Sequence, residues 1–248
     1  MGEKRLFLMT VMNSFNFNLK ELSISNGSSV LRIEGINFSV EQSEKAISIL
    51  GESGMGKTTI FKSLFPRYIA LWSIERGFKF SCLHSYNGQT FDDTDIVRGK
   101  VPAKIGYATQ TPYFFCSETV KENLFAPLKW KGIFWTEDRK EKYIQNLQLD
   151  CLVNKEMSIL SGGEAQLINV SRMLVLEPDI AIIDECFSSM DEQMSQKYIE
   201  LMKQLFPNCI FLLTSHRRSD VERFGGKIIR LMKESYKSGS YYVSQKAE

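Results

Sequence analysis

The stretch from 46 to 59, Ala-Ile-Ser-Ile-Leu-Gly-Glu-Ser-Gly-Met-Gly-Lys-Thr-Thr, constrains the fold more than any other part of the chain. Ala46, Ile47, Ile49 and Leu50 form a short apolar run of the kind that makes a buried strand, and it stops at Gly51. Gly51, Gly56, Lys57 and Thr58 satisfy G-x-x-x-x-G-K-[ST], and Ile60, Phe61, Leu64 and Phe65 follow at helical spacing. Gly51, Gly54 and Gly56 let the backbone curl until successive N–H groups converge on one concavity. With the helix N-terminus, that concavity attracts phosphate oxygens. Along the loop Gly51, Glu52, Ser53, Gly54, Met55, Gly56 to Thr59, Lys57 adds a mobile positive charge for the outer phosphates, and Thr58 offers a hydroxyl to Mg²⁺. The loop is predicted to bind a nucleotide.

Three further apolar runs supply a parallel sheet for this unit. Lys104–Thr109 ends at Gln110, Ile180–Ile183 at Asp184-Glu185, and Ile210–Leu213 at Thr214-Ser215-His216. Polar residues at the carboxyl ends of such strands are where an open parallel sheet holds its ligands. Upstream, residues 6–12 and 29–40 read as strands, with a turn at Ser25-Asn26-Gly27-Ser28 between them. In the second, Ile36, Phe38 and Val40 alternate with polar residues in a half-buried antiparallel pattern. Phe78-Lys79-Phe80 reads as a strand, Tyr86-Asn87-Gly88-Gln89 as a hairpin turn, and Asp92, Asp93 and Asp95 as a solvated acidic turn. From Thr119 to Leu176 the pattern becomes helical, and Glu137–Leu149 sets Tyr143, Ile144 and Leu147 on one face. A helical lobe inserted into an α/β core is expected: one domain over 1–248, with a core of 1–112 and 171–248 and a helical subdomain of 113–170. Met194, Tyr198, Leu201 and Leu205 predict a core-packed helix, and the C-terminal stretch two edge strands.

A chain of 248 residues has ample core for one large domain. Its 31 lysines and arginines nearly balance 29 aspartates and glutamates, so no global field draws it to nucleic acid. Five scattered cysteines without a C-x-x-C pair argue against a disulfide framework or zinc site and for a reducing compartment. Lys4 and Arg5 precede an apolar run too short for a leader, and no run approaches the ~20 apolar residues that span a bilayer.

Hydrolysing a bound nucleotide takes a metal ion, a placed water and charge stabilisation. Asp184, after four apolar residues, suits Mg²⁺. Glu185, at the dry end of the site, suits polarising the attacking water. The competing role for this pair is to cap the next helix. Gln110 suits the metal or the water, and His216 taken alone is as easily structural as catalytic. In Leu160-Ser161-Gly162-Gly163-Glu164-Ala165-Gln166, Ser161 can cap a helix whose first N–H groups two glycines leave free. One chain then has two phosphate-seeking helix ends, which makes sense if the second completes a site on another subunit.

With these motifs in this order, the chain resembles the nucleotide-binding subunits of ATP-binding cassette (ABC) transporters over residues 20–235. The matching features are the Walker A loop Gly51–Thr59, the Q-loop Gln110, the signature Leu160–Gln166, the Walker B strand Ile180–Asp184 with Glu185, the D-loop Ser188-Ser189-Met190-Asp191 and the switch His216. Thr119–Asn123 also resembles a stretch the family carries after its Q-loop. The resemblance implies a P-loop NTPase (RecA-like) α/β fold with an N-terminal antiparallel β-subdomain and the helical insertion. It implies a head-to-tail dimer, homo- or heteromeric, closing over ATP and Mg²⁺ between Lys57 of one subunit and Ser161, Gly162, Gly163 and Glu164 of the other. Glu185 would be the general base, His216 would contact the γ-phosphate, and Thr58, Gln110 and Asp184 would serve the metal. A membrane permease would dock on the helical subdomain around Gln110–Lys131, placing the subunit on the cytoplasmic face of the membrane.

The sequence departs from the family's pattern in places. Where the family stacks an aromatic residue on adenine, Ser28-Ser29 stand here, with Phe15 or Phe17 as substitutes from a shifted loop. Ser43 replaces a usual glycine, Glu164 a frequent glutamine, and the D-loop reads Ser-Ser-Met-Asp. No catalytic group is lost, so hydrolytic competence is expected. A soluble ABC-type ATPase acting in macromolecular assembly is the alternative. An unrelated P-loop kinase or GTPase would leave Leu160–Gln166 without a role.

Overall fold

A computed structural model describes residues 14–26, 29–41, 44–74, 78–101, 103–235 and 241–245. Ten strands form one sheet in the order β5-β4-β1-β2-β10-β9-β3-β8-β7-β6. One half is an antiparallel wing of β1 (Ser14–Asn26), β2 (Ser29–Glu41), β4 (Lys79–Tyr86) and β5 (Gln89–Asp92). The other half is parallel: β3 (Ala46–Leu50), β6 (Ile105–Ala108), β7 (Ile180–Asp184) and β8 (Ile210–Thr214). The join is made by β9 (Lys227–Ser235) and β10 (Tyr241–Gln245), so the two C-terminal strands are central, not the edge strands the sequence predicts. The first half of β9 runs parallel to β3, and its second half pairs antiparallel with β10. Local alternation cannot tell a central strand from an edge strand, because only the pairing partners decide it.

Residues of β7 and β8 are buried on both faces, as a sheet covered on two sides requires. Ala181, Ile183, Phe211 and Leu213 face a core shared with the helical lobe, whereas Ile180, Ile182, Ile210 and Leu212 face a second core shared with the wing. In the wing the apolar phase slips. Phe15, Phe17 and Leu19 are buried, then Leu22; Ile36, Phe38 and Val40 are buried, preceded by Ile33. A bulge at Lys20 against β4, opposite Gly35 with φ of 64°, absorbs the slip. The interrupted alternation hid β1 from the sequence reading. The predicted strand at 6–12 and Gly27-Ser28 of the predicted turn lie outside the described residues; Ser25 and Asn26 end β1. Asn87 and Gly88, with φ of 50° and 81°, form the predicted hairpin turn. The acidic turn is instead the start of a helix, α3 (Asp93–Val97), whose cap is the Asp92 carboxylate accepting from the Asp95 N–H at 2.9 Å.

The remaining helices are α1 (Lys57–Lys62), α2 (Pro66–Trp72), α4 (Val120–Lys131), α5 (Glu137–Asn146), α6 (Gly162–Leu174), α7 (Glu192–Leu205) and α8 (Arg218–Phe224). Capping boxes open α4 (Thr119 with Glu122) and α6 (Ser161 with Glu164), each satisfying two N–H groups that the helix cannot. Tyr143, Ile144 and Leu147 are buried as α5's periodicity predicts. On α7 the predicted Tyr198 is buried together with Ser195, Ile199 and Met202, the predicted Met194 and Leu205 pack half-buried against the same core, and Leu201 is half-buried.

Candidate nucleotide site at the carboxyl end of the parallel strands

Adjacent strands β3, β8, β7 and β6 deliver the loop at Gly51–Thr59, Thr214 to His216, Asp184-Glu185 and Gln110 to one end of the sheet. Gly56, at φ 79°, turns the loop into α1 in a conformation that strains any other residue, and a Cβ there would sit 2.8 Å from Ile33 Cδ1, so that side chain would have to shift. Lys57 is 4% exposed and its Nζ donates back to Gly51 O (2.8 Å) and Glu52 O (3.0 Å), closing the loop on itself. Glu52, Ser53 and Gly54 are exposed on the rim, and Met55 is buried beneath them.

The two carboxylates after β7 have separate surroundings. Asp184 is buried and accepts from Thr58 Oγ1 (2.7 Å) and Tyr107 OH (2.8 Å) on Oδ2, and from Thr214 Oγ1 (2.7 Å) on Oδ1. Burial first, then the Asp184 charge, pushes the Tyr107 phenol far above its ordinary range, so it stays a donor. Glu185 gathers an ammonium, an imidazole and an amide: Lys57 Nζ at 3.3 Å and His216 Nε2 at 2.8 Å from Oε1, and Gln110 Nε2 donating to Oε2 at 2.9 Å. Its backbone holds φ of 54°, uncommon for a residue with a side chain, and its N–H is fixed to Thr214 Oγ1 (3.0 Å) and Thr214 O (3.1 Å). Neither carboxylate caps a helix; both point at the loop.

The sequence-predicted residues thus fall into two groups. Lys57, Thr58, Gln110, Asp184, Glu185 and His216 meet. Ser161 to Glu164 do not join them: among the described residues no hydrogen bond or ion pair links 160–166 to 51–59. Ser161 Oγ accepts from Glu164 N–H at 3.2 Å, and Gly162 and Gly163 abut Ser189 and Met190. The helix is tied to the Q-loop instead, through Gln166 Nε2 on Gln110 O (2.5 Å) and Asn169 Nδ2 on Thr109 O (2.9 Å). Phe15 and Phe17 are wholly buried in the wing, packed on Phe38 and His84, and are unavailable to stack on a base. The Ser28 and Ser43 positions lie outside the described residues. Tyr107 and Asn169 escaped the sequence reading, and Thr214, read only as a polar strand end, was not foreseen as a partner of Asp184. Thr214 pairs with Asp184 across β7 and β8, so strand register was the missing signal.

Residues 33–188 match the family model described as ABC transporter. The chain belongs to the ABC transporter family. It is an ATP-binding, ATP-hydrolysing subunit that powers a membrane transporter; the soluble assembly role is not favoured. A zinc import ATP-binding protein of Ehrlichia ruminantium is 28% identical over 92% of this chain and 85% of its own length. A methionine import ATP-binding protein of Bacillus thuringiensis is 30% identical over 83% of this chain, which spans 59% of that relative. The fold of this ABC subunit is shared with the bacterial ABC cassette MJ0796, solved as a dimer: TM-score 0.65 and 23% identity over 91% of this chain and 95% of that one. Among the described residues no helix is long and apolar enough to cross a membrane.

Proposed function

We propose that this subunit hydrolyses ATP only as half of a head-to-tail pair, each nucleotide lying between the Gly51–Thr59 loop of one subunit and Ser161–Glu164 of the other. The observation that carries the reading is the separation of the two phosphate-seeking elements: one chain assembles the loop, metal-side and base-side groups, yet turns its second anion-binding helix end elsewhere. Thr58 and Asp184, hard oxygen donors 2.7 Å apart, would hold Mg²⁺ with help from Gln110. Bound there, the ion would neutralise charge on the outer phosphates. Glu185 takes the proton of the attacking water, held ready by His216, Gln110 and Lys57. When nucleotide draws Lys57 to its phosphates, the lysine leaves the loop carbonyls and Glu185 with it.

A membrane permease is the second partner we propose, seated on the helical subdomain at the cytoplasmic face. A cavity of about 250 Å³ lies between β6 and α4 and α6, lined by Ile105, Trp130, Lys131, Arg172 and Met173 among others. Tyr113, Phe115, Trp130 and Phe134 stand exposed on the same lobe, aromatic side chains that a docked partner would cover.

Mixing two dead variants tests the shared site. Ser161→Arg and Lys57→Ala should each abolish turnover, while an equimolar mixture regains about a quarter of wild-type activity, because about half of randomly formed pairs would be mixed and each mixed pair carries one intact composite site out of two. No recovery, with mixed pairs demonstrated by cross-linking, would remove the shared-site reading.

A further inference from the structure

Arg217 follows His216 directly and points the other way. Its Nη1 donates to Met190 O at 2.8 Å and its Nη2 to Phe187 O, while Nε donates to Asp220 Oδ2 at 2.9 Å. Asp220 is fully buried and accepts two further bonds, from Ser195 Oγ (2.6 Å) and Ser215 Oγ (3.0 Å). The carboxylate therefore orients a guanidinium whose planar fork spans two carbonyls, a geometry that a lysine cannot reproduce.

One carbonyl belongs to the 3₁₀ turn Cys186–Ser189 and the other to Met190, the residue just after it. That turn hangs on the base: the N–H and hydroxyl of Ser188 both bond Glu185 O, at 3.3 and 2.7 Å. Its far side bears on the signature helix, since a Cβ on Gly163 would lie 3.1 Å from Ser189 O and 3.4 Å from Met190 Cα. Consecutive residues thus reach two different elements, His216 the Glu185 carboxylate and Arg217 the turn. Backbone displacement at 216–217 must move both.

We propose that Arg217 is a positioning residue that couples His216 to the turn at 187–190 and, through Gly163, to the surface meeting the partner's nucleotide. The proposal rests on the shared-site reading above. With phosphate on His216, the guanidinium holds the turn and the start of α6 in the arrangement that pairs. Without the fork, nucleotide still binds one subunit but the pair forms poorly.

The test compares Arg217→Met and Arg217→Lys with the wild-type residue, each in an otherwise unchanged chain and in the Glu185→Gln background. Arg217→Met should leave ATP affinity of the monomer within about 2-fold, weaken ATP-dependent pairing of the Glu185→Gln protein at least ~10-fold, and lower kcat ~10-fold with KM little changed. Arg217→Lys, which keeps the charge but not the fork, should fall between. Equal pairing and turnover in Arg217→Met overturns the proposal, as does a loss of monomer ATP affinity in step with pairing, which would mark a merely structural role. If Arg217→Met does not fold, Arg217→Lys decides, and wild-type pairing in it overturns the proposal. Should Glu185→Gln itself fail to pair on ATP, the shared site falls and takes this link with it; pairing there with no Arg217 effect removes the link alone.

Discussion

The chain has two histidines, and they sit in opposite halves of the sheet. His84, on β4 in the antiparallel wing, is completely buried between Phe15, Phe17 and Tyr86, and among the described residues its Nε2 has no partner. Burial drives its pKa down to about 3, so the ring is a neutral piece of core. His216, two residues past β8 in the parallel half, is 44% exposed and rests 2.8 Å from a carboxylate. One residue type is inert packing in the wing and an exposed partner of Glu185 at the carboxyl end of the parallel strands. The difference lies in topology: antiparallel strands point side chains alternately into the core or into water, whereas parallel strands converge their ends on a shared crevice.

The largest effect that would sharpen this contrast is at the base. Glu185→Gln should leave ATP binding intact and slow turnover at least ~100-fold, trapping a pair on ATP. Unchanged turnover would put the base elsewhere. Next, His216→Ala should cut kcat about 10- to 100-fold while the thermal midpoint moves by no more than ~2 °C, measured by phosphate release and calorimetry. A large loss of stability would erase the contrast.

The smallest effect belongs to His84. With its folded pKa below the ordinary 6.5, the unfolded chain binds more protons between pH 6.5 and about 3. Stability is therefore full above pH 6.5 and declines as pH falls, by at most ~1.4 kcal/mol per unit. His84→Phe should remove that slope and raise stability at pH 5 relative to the parent, with turnover within about 2-fold. Equal slopes in urea titrations of the two proteins would show that His84 does not titrate as its burial implies.

Much of the site could be read along the chain because its determinants are local. Gly51 to Thr59 encodes its own curl, and Ser161 with Glu164 encodes its own cap. Strand β1 was lost because a bulge at Lys20 breaks the alternation on which strand recognition depends, and the same loss led to Phe15 and Phe17 being offered to adenine when they are core. Asp184's companions Tyr107 and Thr214 come from strands 77 and 30 residues away, so no spacing in the sequence connects them.

What the sequence by itself determined is the set of chemical groups and the short turns that present them, since phosphate-binding backbone and helix caps are properties of a few consecutive residues. What only the tertiary structure decided is strand order, the central place of β9 and β10, the burial that separates His84 from His216, and the bonds of Arg217. Those follow from which distant segments pair, and pairing minimises the free energy of the whole chain rather than of any stretch within it.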